Sequence, residues 1–189
     1  MQLQKSGIRV FGIAESCSSR ERSFLCGVVM RRDLHIDGVV FGNVTVGGDD
    51  ATGKILSMIR ELDRHDLNLI MLSGSVIAWY NIIDPAAIHS LTGIPVISIS
   101  YEESEGLEEH IRHHFPGDTG RINRYKALGE RIEVPLPTGY SLFARGWGVT
   151  DKELSRACII FTHHGKIPEP LRVARIAARS MMQYTHARN

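Results

Sequence analysis

An α/β fold, with a mixed β-sheet flanked by helices, is predicted by three features of the 189-residue chain. The first third carries three apolar stretches with short links, the pattern of an antiparallel meander. The middle alternates short apolar runs with helical periodicity, the order of parallel strands joined by right-handed crossovers. The last third ends in two helices with recognisable start signals. The length supports one full core, and residues 1–189 are read as a single domain.

Residues 8–13 (IRVFGI) are the first strand, followed by a polar loop, AESCSSRERS. Glu15 sits just past that strand end, a place for a metal-binding carboxylate or a solvent-facing acid. Residues 24–30 (FLCGVVM) and 36–46 (IDGVVFGNVTV) are the second and third strands, with Gly38 and Gly42 as permissive points. Gly47-Gly48-Asp49-Asp50 then opens a helix. One aspartate is expected to cap its orphan amides and the other to face metal or solvent. Ile55, Leu56, Ile59 and Leu62 recur at helical spacing until His65-Asp66.

Residues 67–72 read as a buried central strand, broken at Ser73-Gly74. In an open α/β sheet the carboxyl end of such a strand borders the ligand crevice. An ordinary core strand and loop is the plain alternative. Residues 82–92 are a short helix with Pro85 in its first turn, and VISIS is a further strand.

Residues 102–115 are expected to be helical, with Glu102, Glu103 and Glu105 at the amino end and His110, His113 and His114 at the carboxyl end. The helix dipole accounts for both groups, so the histidines are not read as ligands. In 116–149, Arg121, Arg124, Lys126 and Arg131 interleave with Tyr125, ahead of Tyr140. Such a pattern serves a nucleic-acid surface or a solvated face. Ile132–Val134 and Ser141–Ala144 are short strand candidates. Thr150 and Glu153 make a capping box for a helix reaching His163-His164, closed by Gly165. Pro170 suits the first position of the last helix, LRVARIAARSMMQY. Arg172, Arg175 and Arg179 form one basic stripe there, able to reach phosphate or simply to face solvent.

Composition sets outer limits. Hydrophobic residues are 43%, charged residues 23% and the formal net charge +1, so no global basic excess marks a nucleic-acid binder. Cys17, Cys26 and Cys158 are odd in number and widely spaced. That pattern fits neither a disulfide scaffold nor a finger-type zinc site, and a reducing cytoplasm is the simplest setting. No signal peptide and no membrane span are expected. Gly47-Gly48 lacks the lysine and hydroxyl of a P-loop, and no histidine is tied by sequence to Cys17.

Five segments carry a resemblance: Arg9 to Glu15 (RVFGIAE), Ile36 to Val46 with Asp50-Ala51-Thr52, Leu72 to Asp84, Gly93 to Ile97, and Gly165 to Arg179 (GKIPEPLRVARIAAR). Together they resemble the archaeal family known as domain of unknown function 99, or UPF0215, in order over nearly the whole chain. That family is related to endonuclease V in the ribonuclease H-like superfamily. The resemblance implies a ribonuclease H-like fold and phosphodiester cleavage with Mg²⁺ or Mn²⁺ held by clustered carboxylates.

Position by position, that implied centre is altered. The family's two aspartates after Gly-Ile are Ala14-Glu15 here, and Ala14 takes the place of the principal metal-binding aspartate. Glu15 is adjacent, where a strand side chain faces the other way. Asp50 matches a retained acid. The Asp-Gly ending the central strand is Ser73-Gly74. Gly-Phe-Asn is Trp79-Tyr80-Asn81, with Asp84 kept, and a histidine in the last helix is Arg175. An arginine there lowers attraction for a divalent cation and can hold phosphate or pair with Asp50.

The reading that follows is a nucleic-acid- or nucleotide-binding module with an eroded nuclease-like site, lined by Ala14, Ser73, Gly74 and Asn81, with Arg172, Arg175 and Arg179 on phosphate. It uses no cofactor. The first alternative is a Mg²⁺- or Mn²⁺-dependent endonuclease acting on damaged or deaminated nucleic acid, with Glu15, Asp50 and Asp84 as catalytic acids and Glu15 and Asp50 on the metal. The second is a structural or protein-interaction module, with homo-oligomerisation left open.

Overall fold

The computed structural model describes residues 7–17, 21–103 and 106–186. Strands β1 (Arg9–Cys17), β2 (Arg22–Arg31) and β3 (Ile36–Thr45) form the antiparallel meander. Helix α1 (Ala51–Leu62) leads to β4 (Leu69–Ser73), which pairs parallel with β1. A small hairpin of β5 (Val76–Ile77) and β6 (Asn81–Ile82) precedes α2 (Pro85–Thr92) and β7 (Val96–Ser100), which is parallel to β4. Then come α3 (Glu108–His114), α4 (Thr119–Ala127), β8 (Ile132–Pro135), β9 (Ser141–Trp147), α5 (Asp151–Phe161) and α6 (Glu169–His186). The main sheet has the order β3-β2-β1-β4-β7-β9-β8, with β9 antiparallel to both neighbours. The expected mixed α/β sheet is therefore present.

Strand alternation sends successive side chains to opposite faces. Phe11, Ile13, Ile70 and Leu72 pack with Ile55 and Met58 of α1 and Ile88 of α2. Val10, Leu69 and Met71 pack on the other side with Leu154 and Phe161 of α5 and Leu171 of α6. Ala14, Cys26 and Val28 lie under Ala174 and Ala178 of α6 on that same side. The small α6 residues permit this close approach. Gly12 sets its position: a Cβ there would lie 2.6 Å from Pro170 Cβ, so only glycine lets the start of α6 rest on β1.

Several local expectations are corrected. β1 continues to Cys17 because Ala14–Cys17 stay in register with Ser23–Cys26, so a ladder survives where apolar patterning stops. Of the expected polar loop, residues 18–20 lie outside the described residues. α3 is short, and Glu102 and Glu103 precede it, while residues 104–105 of the expected helix lie outside the described residues. α5 ends at Phe161, and its C-cap is Thr162 in extended backbone, with Oγ1 donating to Cys158 O at 2.7 Å. Gly165 is left-handed (φ 61) but lies in the following turn. α6 starts at Glu169, so Pro170 is its second residue. The capping box at Thr150 and Glu153 and the first-turn position of Pro85 are present as expected. Among the described residues, no helix is long and apolar enough to cross a membrane.

Candidate functional site

β4 and β7 end side by side, and the chain leaving them opens a crevice of about 480 Å³. Ser73, Gly74, Ser98 and Ser100 give it hydroxyls and bare backbone, and Arg131, Arg145, Lys166 and Arg175 give it four cations against the carboxylate of Glu102. Arg175 reaches in from α6. Its Nη2 donates to Ser73 Oγ at 3.1 Å, and its guanidinium carbon lies 5.0 Å from the centroid of the Tyr101 ring. Tyr101 Oη is 3.4 Å from Ser73 Oγ, and burial pushes the phenol's pKa up, which keeps it protonated. Arg131 Nη1 donates to Ser100 Oγ and to Glu102 O, both at 3.0 Å. Lys166 Nζ donates to Tyr101 O at 2.9 Å and pairs with Glu102 at 2.6 Å. Burial pulls the Arg145 pKa down, with Arg131 adding to the effect and Tyr125 opposing it. The Arg145 Nε is buried without a hydrogen-bond partner. Several like charges held this close raise the attraction for an anion.

The acids named from the sequence lie elsewhere. Ala14, where the implied aspartate would stand, is 3% exposed and packs with Cys26 under α6. Glu15 points to the opposite face, where Ser23 Oγ donates to its carboxylate at 2.5 Å. Asp50 stands at the N-cap position of α1 but does not cap it. Its carboxylate accepts from Thr45 N and Thr45 Oγ1 at 3.0–3.1 Å and from Asn81 Nδ2 at 2.6 Å. Burial opposes its ionisation, but those hydrogen bonds prevail and hold the carboxyl below its usual range. The amide of Ala51 is instead satisfied by Asn81 Oδ1 at 3.2 Å, so the helix start is capped from β6. Asp84 caps α2, accepting from Ala87 N at 2.9 Å. The alternative of an Arg175–Asp50 pair is replaced by the Arg175–Ser73 contact.

These donors do not fit a hard divalent cation, which requires converging oxygen ligands. At the implied centre stand a methyl group, a hydroxyl and a guanidinium, while Glu15 and Asp50 are already engaged by Ser23 and by Thr45 and Asn81. Among the described residues no three His, Cys, Asp or Glu side chains come together as a metal site.

The arginine stripe also divides. Arg172 donates to His164 O at 2.8 Å and pairs with Glu169 at 3.0 Å, and Arg179 is exposed along α6. Of the three, Arg175 alone lines the crevice. The basic run around Tyr125 divides likewise: Arg131 enters the crevice, Arg124 pairs with Asp49 at 3.2 Å and Lys126 with Glu108 at 3.2 Å.

Arg121 is buried, and it organises a feature that sequence reasoning did not find. Ala78, Trp79 and Tyr80 are consecutive left-handed residues, with φ of 41°, 59° and 61°. Each non-glycine residue in that region is strained by roughly 1–2 kcal/mol. Arg121 holds the turn: its guanidinium donates to the carbonyls of Tyr80, Gly47 and Gly48 and to the Asp118 carboxylate, and stacks 4.0 Å from the Phe115 ring centroid. Gly47 N donates to Ala78 O at 2.7 Å. The turn leaves Trp79 54% exposed, its ring 4.7 Å from that of His114. No glycine stands at its left-handed positions, so the usual turn signal is missing from the sequence. The one available signal was the position of Trp79-Tyr80, where the resembled family has Gly-Phe.

Comparison with known proteins gives the family and the fold. The profile of the family described as endonuclease dU matches residues 6–182. A UPF0215 protein of Pyrobaculum calidifontis is 35% identical over 179 residues, covering 94% of this chain and 98% of that protein. A protein of unknown function from Archaeoglobus fulgidus shares the fold with a TM-score of 0.80 and 23% identity, over 92% of this chain and 98% of that one. Ciona intestinalis endonuclease V, solved with a 24-mer DNA containing an inosine followed by a ribo-adenosine, has a TM-score of 0.65 and 13% identity, over 94% and 87%. The fold is thus endonuclease V-like, and the chain belongs to the endonuclease dU family, with UPF0215 proteins among its relatives.

Proposed function

We propose that this member of the endonuclease dU family binds nucleic acid through the backbone phosphates, with Arg175 at the centre of the contact and without metal-dependent cleavage. The observation that carries the reading is the Arg175–Ser73 hydrogen bond, inside a crevice that also gathers Arg131, Arg145 and Lys166. A phosphate entering there replaces a neutral hydroxyl as the partner of Arg175 and accepts charge-assisted hydrogen bonds. Ser73, Ser98 and Ser100 supply further donors without adding negative charge. The family name and the DNA-bound endonuclease V support nucleic acid as the source of that phosphate.

Residues of the chain account for each part of the binding. Arg175 orients the phosphate, Tyr101 supports the guanidinium from one face, and Arg131 and Lys166 order the strand end by holding the carbonyls of Glu102 and Tyr101. The test is anisotropy of a labelled single-stranded oligonucleotide across a salt series. Affinity is expected to fall with salt, with a logarithmic slope of about −0.7 for each phosphate engaged. Arg175→Ala should weaken binding about tenfold, the loss of one charge-assisted hydrogen bond. Binding that ignores both salt and Arg175 would refute the reading.

A further inference from the structure

The main sheet has two outer strands, and they are finished differently. β8 is four residues long, exposes Glu133 and Pro135, and lies against α5. Short length, charge and proline are the usual means of blocking further strand addition. β3 is ten residues long, IDGVVFGNVT, with neither lysine nor proline. Its acid, Asp37, is already paired with Arg9 at 2.7 Å. Among the described residues nothing pairs with its outer edge. One face of β3 is covered by α1, and Val40 and Val44 are buried there with Ile55 and Met58. The other face is open: α6 packs on β1 and β2, and Val39 and Phe41 stay 46% and 40% exposed, with Ile36 at 50%. A long, bare, apolar edge of this kind is a template for pairing with another chain.

We infer that a second copy of this chain covers it, with β3 pairing antiparallel to β3 of the copy and joining two seven-stranded sheets into one. Such self-pairing has a two-fold axis, the usual symmetry of a homodimer. Centred on Val40, it sets Val39 opposite Phe41 of the copy, and Phe41 opposite Val39. Each contact puts a β-branched side chain against an aromatic one, on the uncovered face. Gly38 then faces Gly42 and Asp37 faces Asn43, so no like charges are opposed. The helix layer is complementary too. Lys54 Cγ lies 3.4 Å from where a Cβ on Gly42 would stand, so that side of α1 borders β3. Glu61 lies two turns further along the same side. The axis runs α1 antiparallel to α1 of the copy, bringing Lys54 of each toward Glu61 of the other. Among the described residues neither has an ion-pair partner of its own. The edge is about 34 Å long, and the sheet with one helix layer is about 20 Å deep. Each copy thus offers on the order of 700 Å², close to the roughly 800 Å² per partner of a stable interface. The crevice at the ends of β4 and β7 lies away from this edge, so the pairing does not depend on nucleic acid.

Sedimentation velocity of the full chain over a dilution series, without nucleic acid, tests the pairing. The native chain should sediment as a dimer that dissociates on dilution. Val39 is exposed, so Val39→Lys should fold with an unchanged circular-dichroism spectrum. It should weaken the dimer about a hundredfold, since it sets two lysines against apolar rings. Lys54→Glu should weaken the dimer about tenfold, because each new acid faces Glu61 of the other copy, and adding Glu61→Lys should restore it. A native chain that stays monomeric at high micromolar concentration would overturn the inference. So would a dimer that survives Val39→Lys, which would put the interface elsewhere, or one that Lys54→Glu leaves unchanged.

Discussion

Arg121 and Arg175 each send a guanidinium from a helix to the loops at the strand ends, yet they are placed for different tasks. Arg121 is 6% exposed and meets three backbone carbonyls, a carboxylate and an aromatic ring. Its donors are matched internally, and its charge is balanced by Asp118. Arg175 is half-buried and meets a serine hydroxyl and the face of Tyr101, both neutral. The same side chain thus fixes a loop where its partners complete its charge, and leaves that charge unbalanced where its partners are neutral.

The largest expected effect is at the structural arginine. Arg121→Met removes the guanidinium donor from three carbonyls and from Asp118, which retains the backbone amide of residue 121, and should lower stability by about 3 kcal/mol in urea unfolding. A loss below about 1 kcal/mol would show that the left-handed turn holds itself. Arg175→Ala should do the reverse, with the tenfold loss of oligonucleotide affinity given above and a stability change within about 1 kcal/mol. If the two variants exchange these effects, the contrast collapses.

Ser73→Asp sharpens the comparison, because it gives Arg175 the carboxylate that Arg121 already has. The new acid should pair with Arg175, weaken oligonucleotide binding several-fold and confer no measurable Mn²⁺ binding by calorimetry. Adding Arg175→His to Ser73→Asp removes that competitor, and any gain in Mn²⁺ affinity should come only then. Asp84→Ala removes a helix cap and should cost about 1 kcal/mol in thermal unfolding while leaving binding untouched. A large loss of function there would return Asp84 to the site.

The smallest effect is on acid stability. The backbone amide and guanidinium of Arg121 hold the Asp118 carboxyl below its usual range. Its folded pKa is therefore lower than its unfolded one, so the unfolded chain binds the extra proton. The contribution is present above the unfolded value near about 4 and is lost as pH falls through the lower folded value. Asp118→Asn should flatten that part of the stability profile, in unfolding curves recorded between neutral pH and strong acid.

Much of the fold was legible because hydrophobic periodicity is local. The LIML run of β4, the helical spacing of Ile55 and Ile59, and the Thr150–Glu153 box each announce themselves within a few residues. The site was legible only in part. Ser73 and Arg175 could be singled out by type and by the family they resemble, but their contact joins residues 102 apart and depends on Gly12 letting α6 settle on β1. Position alone left the cap open between Asp49 and Asp50, and the oxygens of Asp50 are taken by Thr45 and the distant Asn81. Arg121 looked like one of several surface cations, since burial of a guanidinium is decided by the loops that close over it.

The central claim is that the Arg175 crevice replaces metal-dependent chemistry with phosphate binding. It is tested most directly by holding a labelled uracil- or inosine-containing strand on the protein in EDTA, then adding excess Mn²⁺ and following both anisotropy and strand length. The account predicts an intact strand and an affinity unchanged beyond the effect of ionic strength. A shortened strand, or Mn²⁺-dependent tightening that disappears in Glu15→Gln or Asp50→Asn, would contradict it.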